Sequence, residues 1–213
     1  MKTIQKGLCF VLFAAMLCGA LPLFATANDE IPCAVNTVAH TVVSGDTMWK
    51  MAVRYHVGLS EIISANPHIK NPDLIYPGDT LYIPLTNTDV TNFEEEVIRL
   101  VNEIRKQNGL SALSENWELS RVARYKSQDM HDKNYFSHTS PTYGSPFDMM
   151  KSFGISYRTA GENIAKGYRT PQAVVDGWMN SEGHRANILN ASFKQIGVGY
   201  YANGYYWTQM FIG

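Results

Sequence analysis

Four stretches in the second half of the chain gather the side chains able to do acid–base chemistry, ligate a cation or act as nucleophiles. They are Y-F-S-H-T-S-P from Tyr135, A-G-E-N-I-A from Ala160, W-M-N-S-E-G-H-R-A-N-I-L from Trp178 and G-V-G-Y-Y…W-T-Q-M-F from Gly197. Between them they supply His138, Glu162, Ser181, Glu182 and His184. Two common chemistries have the residue types but not the spacing. Ser181, His184 and Glu162 could suggest a serine hydrolase, yet there is no G-x-S-x-G elbow, and a serine three residues before a histidine at a helix end has no defined geometry. There is also no H-E-x-x-H helix of a zinc protease. Arg185 and Asn187 read as organisers of the following turn and Asn163 as a brace for a loop carrying Glu162, roles in which polar groups are simply satisfied. Trp178, Trp207 and Phe211 read as core, and Tyr200, Tyr201, Tyr205 and Tyr206 as cover for a sheet face rather than a sugar platform.

The elements that must position these residues are visible as periods and caps. Thr91-Asn92-Phe93-Glu94 is a capping-box pattern opening a helix with Val97, Leu100, Val101 and Ile104 at helical spacing, ended by Gly109. A second helix runs through Trp117, Leu119, Val122, Ala123 and Met130. Ser145-Pro146 and Thr170-Pro171 each place a cap before a proline at the first helical position, starting helices near Phe147 to Phe153 and Gln172 to Asn180. From Gln195 to Phe211 two strands are expected, joined at Asn203-Gly204 by a tight hairpin turn. Helices flanking an antiparallel sheet make an α+β domain.

Upstream, Leu85 to Thr91 is polar and lacks an apolar period, so it reads as a linker. Before it, β-branched runs His40 to Val43 and Thr80 to Ile83 enclose two helical patterns, the first capped by Thr47 and the second by Ser60 and stopped at Asn66-Pro67. The first 27 residues, with Lys2 and Lys6, the apolar run Leu8 to Leu17 and Ala25-Thr26-Ala27, have the layout of a secretory signal peptide, leaving a flexible start over residues 28–39. That run is too short for a comfortable membrane span, so no stable span is expected after cleavage. Cys9 and Cys18 would leave with the signal and Cys33 would remain as a free thiol, so the fold must be held by its core. The 213 residues are 45% apolar, enough for one or two cores, and a net charge of −1 with scattered acids and bases argues against nucleic acid as a partner.

Residues 40–84, with V-x-S-G-D-T-M-W, A-N-P and I-Y-P-G-D-T-L-Y-I-P, resemble a LysM domain over its whole length. The resemblance implies a small βααβ fold that binds N-acetylglucosamine polymers, peptidoglycan or chitin, in a groove between Gly45-Asp46-Thr47-Met48 and Asn71 through Gly78. An N-acetyl sugar offers a methyl for an apolar wall and an amide for backbone hydrogen bonds; Gly45 allows close approach, Met48, Leu74 and Ile75 could form the wall, and Asp73 lies in the same loop. A single module would bind weakly.

The four stretches, with V-x-x-x-x-N-x-x-R over residues 97–105, resemble the CAP, or SCP-like, superfamily across residues 92–213. That implies an α-β-α sandwich with a cleft of two histidines and acidic partners, carried over here to His138, Glu162 and His184. Two neutral imidazoles and a carboxylate can hold Zn²⁺ or another divalent metal with room for a water, and the same trio can equally be a hydrogen-bonded network, so no cofactor is required. Many eukaryotic members place a second glutamate three residues after the tryptophan; here that position is Ser181 and Glu182 is one residue late, leaving open which reaches the cleft. The expectation is a secreted, wall- or envelope-associated protein whose LysM module anchors a CAP domain of binding or scaffolding role. The alternatives are a metal-dependent wall hydrolase or peptidase using His138, Glu162 and His184, with no catalytic residue assigned, and a structural envelope or spore-layer component.

Overall fold

The computed structural model describes residues 36–213. The expected signal segment, all three cysteines and residues 28–35 of the expected flexible start lie outside the described residues. Residues 36–39 of that start begin strand β1 (Asn36–Thr41), which pairs antiparallel with β2 (Thr80–Leu85) in a register running from Asn36↔Leu85 to Thr41↔Thr80. Between the strands lie α1 (Met48–Tyr55) and α2 (Leu59–Ala65), giving the expected βααβ order. Thr47 caps α1 by accepting from Lys50 N. Ser60 does not cap α2; Gly58 holds that position without a side-chain bond and Ser60 sits inside the first turn. Asn66 of the A-N-P motif is buried, donates to the carbonyls of Ile62 and Tyr82 and accepts from Tyr82 N, so it ties the end of α2 to β2. The module's core is Val42, Met48, Met51, Ala52, Val57, Ile62, Leu81 and Ile83.

The linker is shorter than its composition suggests. Leu85 still belongs to β2, and α3 (Thr88–Gln107) starts three residues before Thr91, capped by Asn87, whose side chain accepts from Asp89 N. The Thr91 capping box does not form because Glu94 is drawn inward, where it receives Arg124 and Tyr200 N. Val90 in the same stretch packs against the main core.

The remaining elements are β3 (Ser114–Glu115), α4 (Trp117–Asp132), α5 (Pro146–Ser152), β4 (Ala160–Lys166), α6 (Pro171–Met179), α7 (Glu182–Ile188), β5 (Gln195–Tyr201) and β6 (Tyr206–Ile212). The strands order as β3-β5-β6-β4, with β3 parallel to β5 and the other pairs antiparallel. One face carries Leu119, Val122 and Ala123 of α4 and Met149 and Met150 of α5 against Met210 and Ile212. The other carries Val97 and Val101 of α3, Val174, Val175 and Trp178 of α6 and Ile188 of α7 against Ile196, Val198, Trp207 and Phe211. This is the expected α-β-α sandwich, and burial on both faces explains why the strands lack apolar–polar alternation. Gly197 and Gly199 let α4 lie directly on β5: a Cβ at Gly199 would stand 2.1 Å from the backbone of Ala123.

Two local expectations are corrected. A-G-E-N-I-A is not a loop but the edge strand β4, whose Glu162 and Ile164 carbonyls accept from Asn187 Nδ2 and Trp178 Nε1. The β5–β6 turn spans residues 202–205, and its positive φ angles fall on Gly204 and Tyr205 rather than on Asn203-Gly204.

Candidate functional site

The candidate site lies at the β4 edge, between a loop on one face of the sheet and α7 on the other. Glu162 and Met210 are cross-strand partners, so Glu162 points to the α4 face. There its Oε1 lies 2.7 Å from His138 Nδ1, while Oε2 is buried with no hydrogen-bond partner among the described residues.

The loop bearing His138 is held by α4. Lys126, fully buried, donates from Nζ to the His138 carbonyl at 2.7 Å. Its pKa is lowered by burial, against the pull of Glu162 and Asp129. Asp129, one turn on, accepts from Tyr135 Oη, Ser140 Oγ and Thr142 Oγ1 at 2.6–2.7 Å, which pins the loop on both sides of His138. Burial pushes the Asp129 carboxyl up, but these hydrogen bonds outweigh it and hold it below its usual range.

His184 is positioned from the other face by an amide ladder. Asn163 donates to the His184 carbonyl and to Gln209 Oε1, and Asn187 donates to Asn163 Oδ1 and to the Glu162 carbonyl. Burial and the neighbouring His138 both lower the His184 pKa, which favours the neutral form of its imidazole. Asn163 and Asn187 therefore brace the site, although Asn163 does so from a strand. Arg185 donates to the Met179 carbonyl and organises the turn before α7.

The structure thus joins His138 to Glu162 and sets His184 beside His138. Ser181 is the N-cap residue of α7, and the exposed Glu182 and Gly183 lie in its first turn rather than in a turn after a helix. No hydrogen bond links Glu182 to the trio among the described residues. Also among these residues, no three His, Cys, Asp or Glu side chains form a group able to hold a metal ion. With Oε1 committed to His138, Glu162 is an orienting partner of an imidazole rather than a third ligand, so the donors do not make the three-ligand set zinc usually takes. Lys126 and Asp129 escaped the sequence reading; their only signal was the presence of charged residues on the buried face of an amphipathic helix.

In the βααβ module, Gly45 takes φ +88° with open space around it, and Asp46 accepts from His40 Nε2 and Val43 N, which closes the turn. Thr47 is occupied in capping, and Met48, expected in the wall of the groove, is instead core, on the same buried side of α1 as Met51 and Ala52. Asp73 is exposed, with its N–H turned to Asn71 Oδ1, and Ile75 packs partly against the core. Leu74 is 50% exposed and Tyr76, unmarked by the sequence reading, 59%. Val42 ties the two loops together, donating to the Asp79 carbonyl and accepting from Gly78 N.

Comparison with known proteins agrees with this division. Residues 40–84 match the LysM domain and residues 98–211 match CAP, the Cysteine-rich secretory protein family. The Bacillus subtilis (strain 168) protein YkwD is 64% identical over 126 residues, which is 59% of this chain and 49% of that one. The spore coat assembly protein ExsA of Bacillus cereus is 42% identical over 45 residues, 21% of this chain and 7% of its own. A crystal structure of an extracellular protein containing a SCP domain from Bacillus anthracis str. Ames superposes with a TM-score of 0.56 at 37% identity, covering 64% of this chain and 47% of that one. The chain therefore spans less than half the length of each of these relatives. With a LysM module followed by an α-β-α sandwich, and more than half its length matched by the CAP profile, the chain belongs to the CAP, or cysteine-rich secretory protein, family.

Proposed function

We propose that this is a secreted, cell-wall-associated protein whose LysM module binds N-acetylglucosamine glycan, peptidoglycan or a chitin-like polymer, and whose CAP domain acts as a binding or scaffolding domain. The observation that carries the reading is the exposure of Val43, Leu74 and Tyr76 on two loops tied together through Val42. An eight-residue core leaves these apolar side chains outside it, beside the open Gly45 turn, where they suit the methyl and pyranose faces of an N-acetyl sugar. In the CAP domain, the braced His138–Glu162 pair and the His184 imidazole offer hydrogen-bonding groups to a polar ligand.

The test is retention on purified peptidoglycan. Wild type is expected to be retained and the surface pair Leu74→Asp with Tyr76→Ala to be lost from the pellet; equal retention of both would refute the assignment. A second reading, a structural component of a spore layer, draws support from the likeness of the module to the spore coat assembly protein. Localisation of a fluorescent fusion to the forespore rather than the vegetative wall would favour it.

A further inference from the structure

Trp117, Arg121 and Tyr125 are spaced four residues apart, so they form one stripe along α4, flanking the sheet-facing Leu119, Val122 and Ala123, against whose cluster Tyr125 also packs. Every member of the stripe meets the α1–α2 corner of the LysM module. His56, the left-handed residue that ends α1, stacks on Trp117 with centroids 5.4 Å apart and planes 9° from parallel. Glu61 of α2 accepts from Arg121 Nε at 2.8 Å and Nη2 at 3.2 Å, and from Tyr125 Oη at 2.5 Å. Ser60 accepts from Arg121 Nη2 as well. The guanidinium carbon lies 5.6 Å from the Tyr125 ring centre and 5.3 Å from that of Phe153, within cation–π range of both. Gly58 leaves room for the arrangement, since a Cβ there would collide with the side chains of both Glu61 and Arg121.

We infer that this contact is a latch that holds the LysM module on the CAP domain as one rigid body in solution, rather than as a glycan hook on a flexible tether. A lone exposed ion pair would not suffice, but here a forked guanidinium, a phenol and an aromatic stack act together. The covalent connection favours it too. Only Thr86 and Asn87 separate β2 from α3, so the partners face each other at high effective concentration.

The latched form is open to ligand. The latch grips the C-terminal end of α1 while the Gly45 turn precedes its N-terminal end, a helix of eight residues and about 12 Å away. Leu74 and Tyr76 stay exposed with the latch made. On the glycan-binding reading above, a bound strand therefore runs at a fixed angle to the cleft of His138 and His184; the latch itself rests on geometry alone.

Electron–electron distance measurement between spin labels at Lys70→Cys and Lys106→Cys tests the proposal, in the chain from Asn28 with Cys33→Ser. A single narrow distance distribution is expected. Arg121→Glu or Glu61→Arg should lose the narrow peak, and the double exchange should restore it, with circular dichroism confirming that each variant is folded. A broad distribution in the parent, or single variants as narrow as the parent, overturns the latch. Peptidoglycan retention of the parent, measured separately, reports on the glycan reading: its failure with a narrow distribution leaves the latch standing and removes only its consequence.

Discussion

The side chains of His138 and Glu162 meet at 2.7 Å with opposite environments, the imidazole 54% exposed and the carboxylate 1%. The exposed partner is free to touch a ligand through its other nitrogen, while the buried one fixes its orientation and tautomer. Removing the imidazole leaves a buried carboxylate with neither oxygen paired. His138→Ala is therefore expected to lower stability by about 1–2 kcal/mol in urea denaturation, less than for a fully buried pair because water can enter from the open side. His138→Gln, which retains a donor, should recover part of the loss. An unchanged midpoint in both variants would contradict the role given to Glu162.

Two imidazoles with an orienting carboxylate make a weak metal site. Calorimetric titration with Zn²⁺ is expected to show affinity no tighter than about micromolar, abolished by either His138→Ala or His184→Ala. Nanomolar affinity would require a third ligand, with Glu162 or Glu182 moving to supply it. Under the binding reading, purified peptidoglycan should remain intact after incubation with the protein, with or without Zn²⁺; release of soluble fragments would favour the hydrolase.

Glu94 sets a pH dependence of stability. Burial pushes its carboxyl from 4.5 up to about 7, despite the opposing pull of Arg124 and the Tyr200 N–H. Because the folded state binds the proton more tightly than the unfolded chain, this contribution is fully present below about pH 4.5 and is lost as pH rises through 7. His184, lowered in the fold, works in the opposite sense as it charges on acidification. Comparing urea midpoints of wild type and Glu94→Gln from pH 4 to 8 isolates the first effect: the variant should lack the fall between roughly 4.5 and 7.

Two glycines should respond in opposite directions. Gly199→Ala drives a methyl into the backbone of α4 and should cost at least about 3 kcal/mol or prevent folding. Gly183→Ala, in the first turn of α7 with open space around its Cβ position, should stabilise by roughly 0.5 kcal/mol in thermal or urea unfolding.

Helix starts governed by local chemistry were legible. Thr47, Ser145 and Thr170 each accept from a backbone N–H three residues on, as their positions before apolar or proline-led turns require. Where a long-range partner competes, local reading failed. Glu94 left its capping box for Arg124, and Ser60 gave up a cap position to a glycine that makes room for Arg121. Met48 followed the core instead of the groove.

By itself the sequence determined the two modules, their order and most helices, because those follow from short-range caps, periods and motifs, and its family resemblance named His138, Glu162 and His184 as the site's candidates. Only the tertiary structure decided that A-G-E-N-I-A is a strand, that Lys126 and Asp129 brace the His138 loop, and that Glu61 meets Arg121 sixty residues away. Each depends on which faces become buried together, and a chain reveals that only once distant segments share one core.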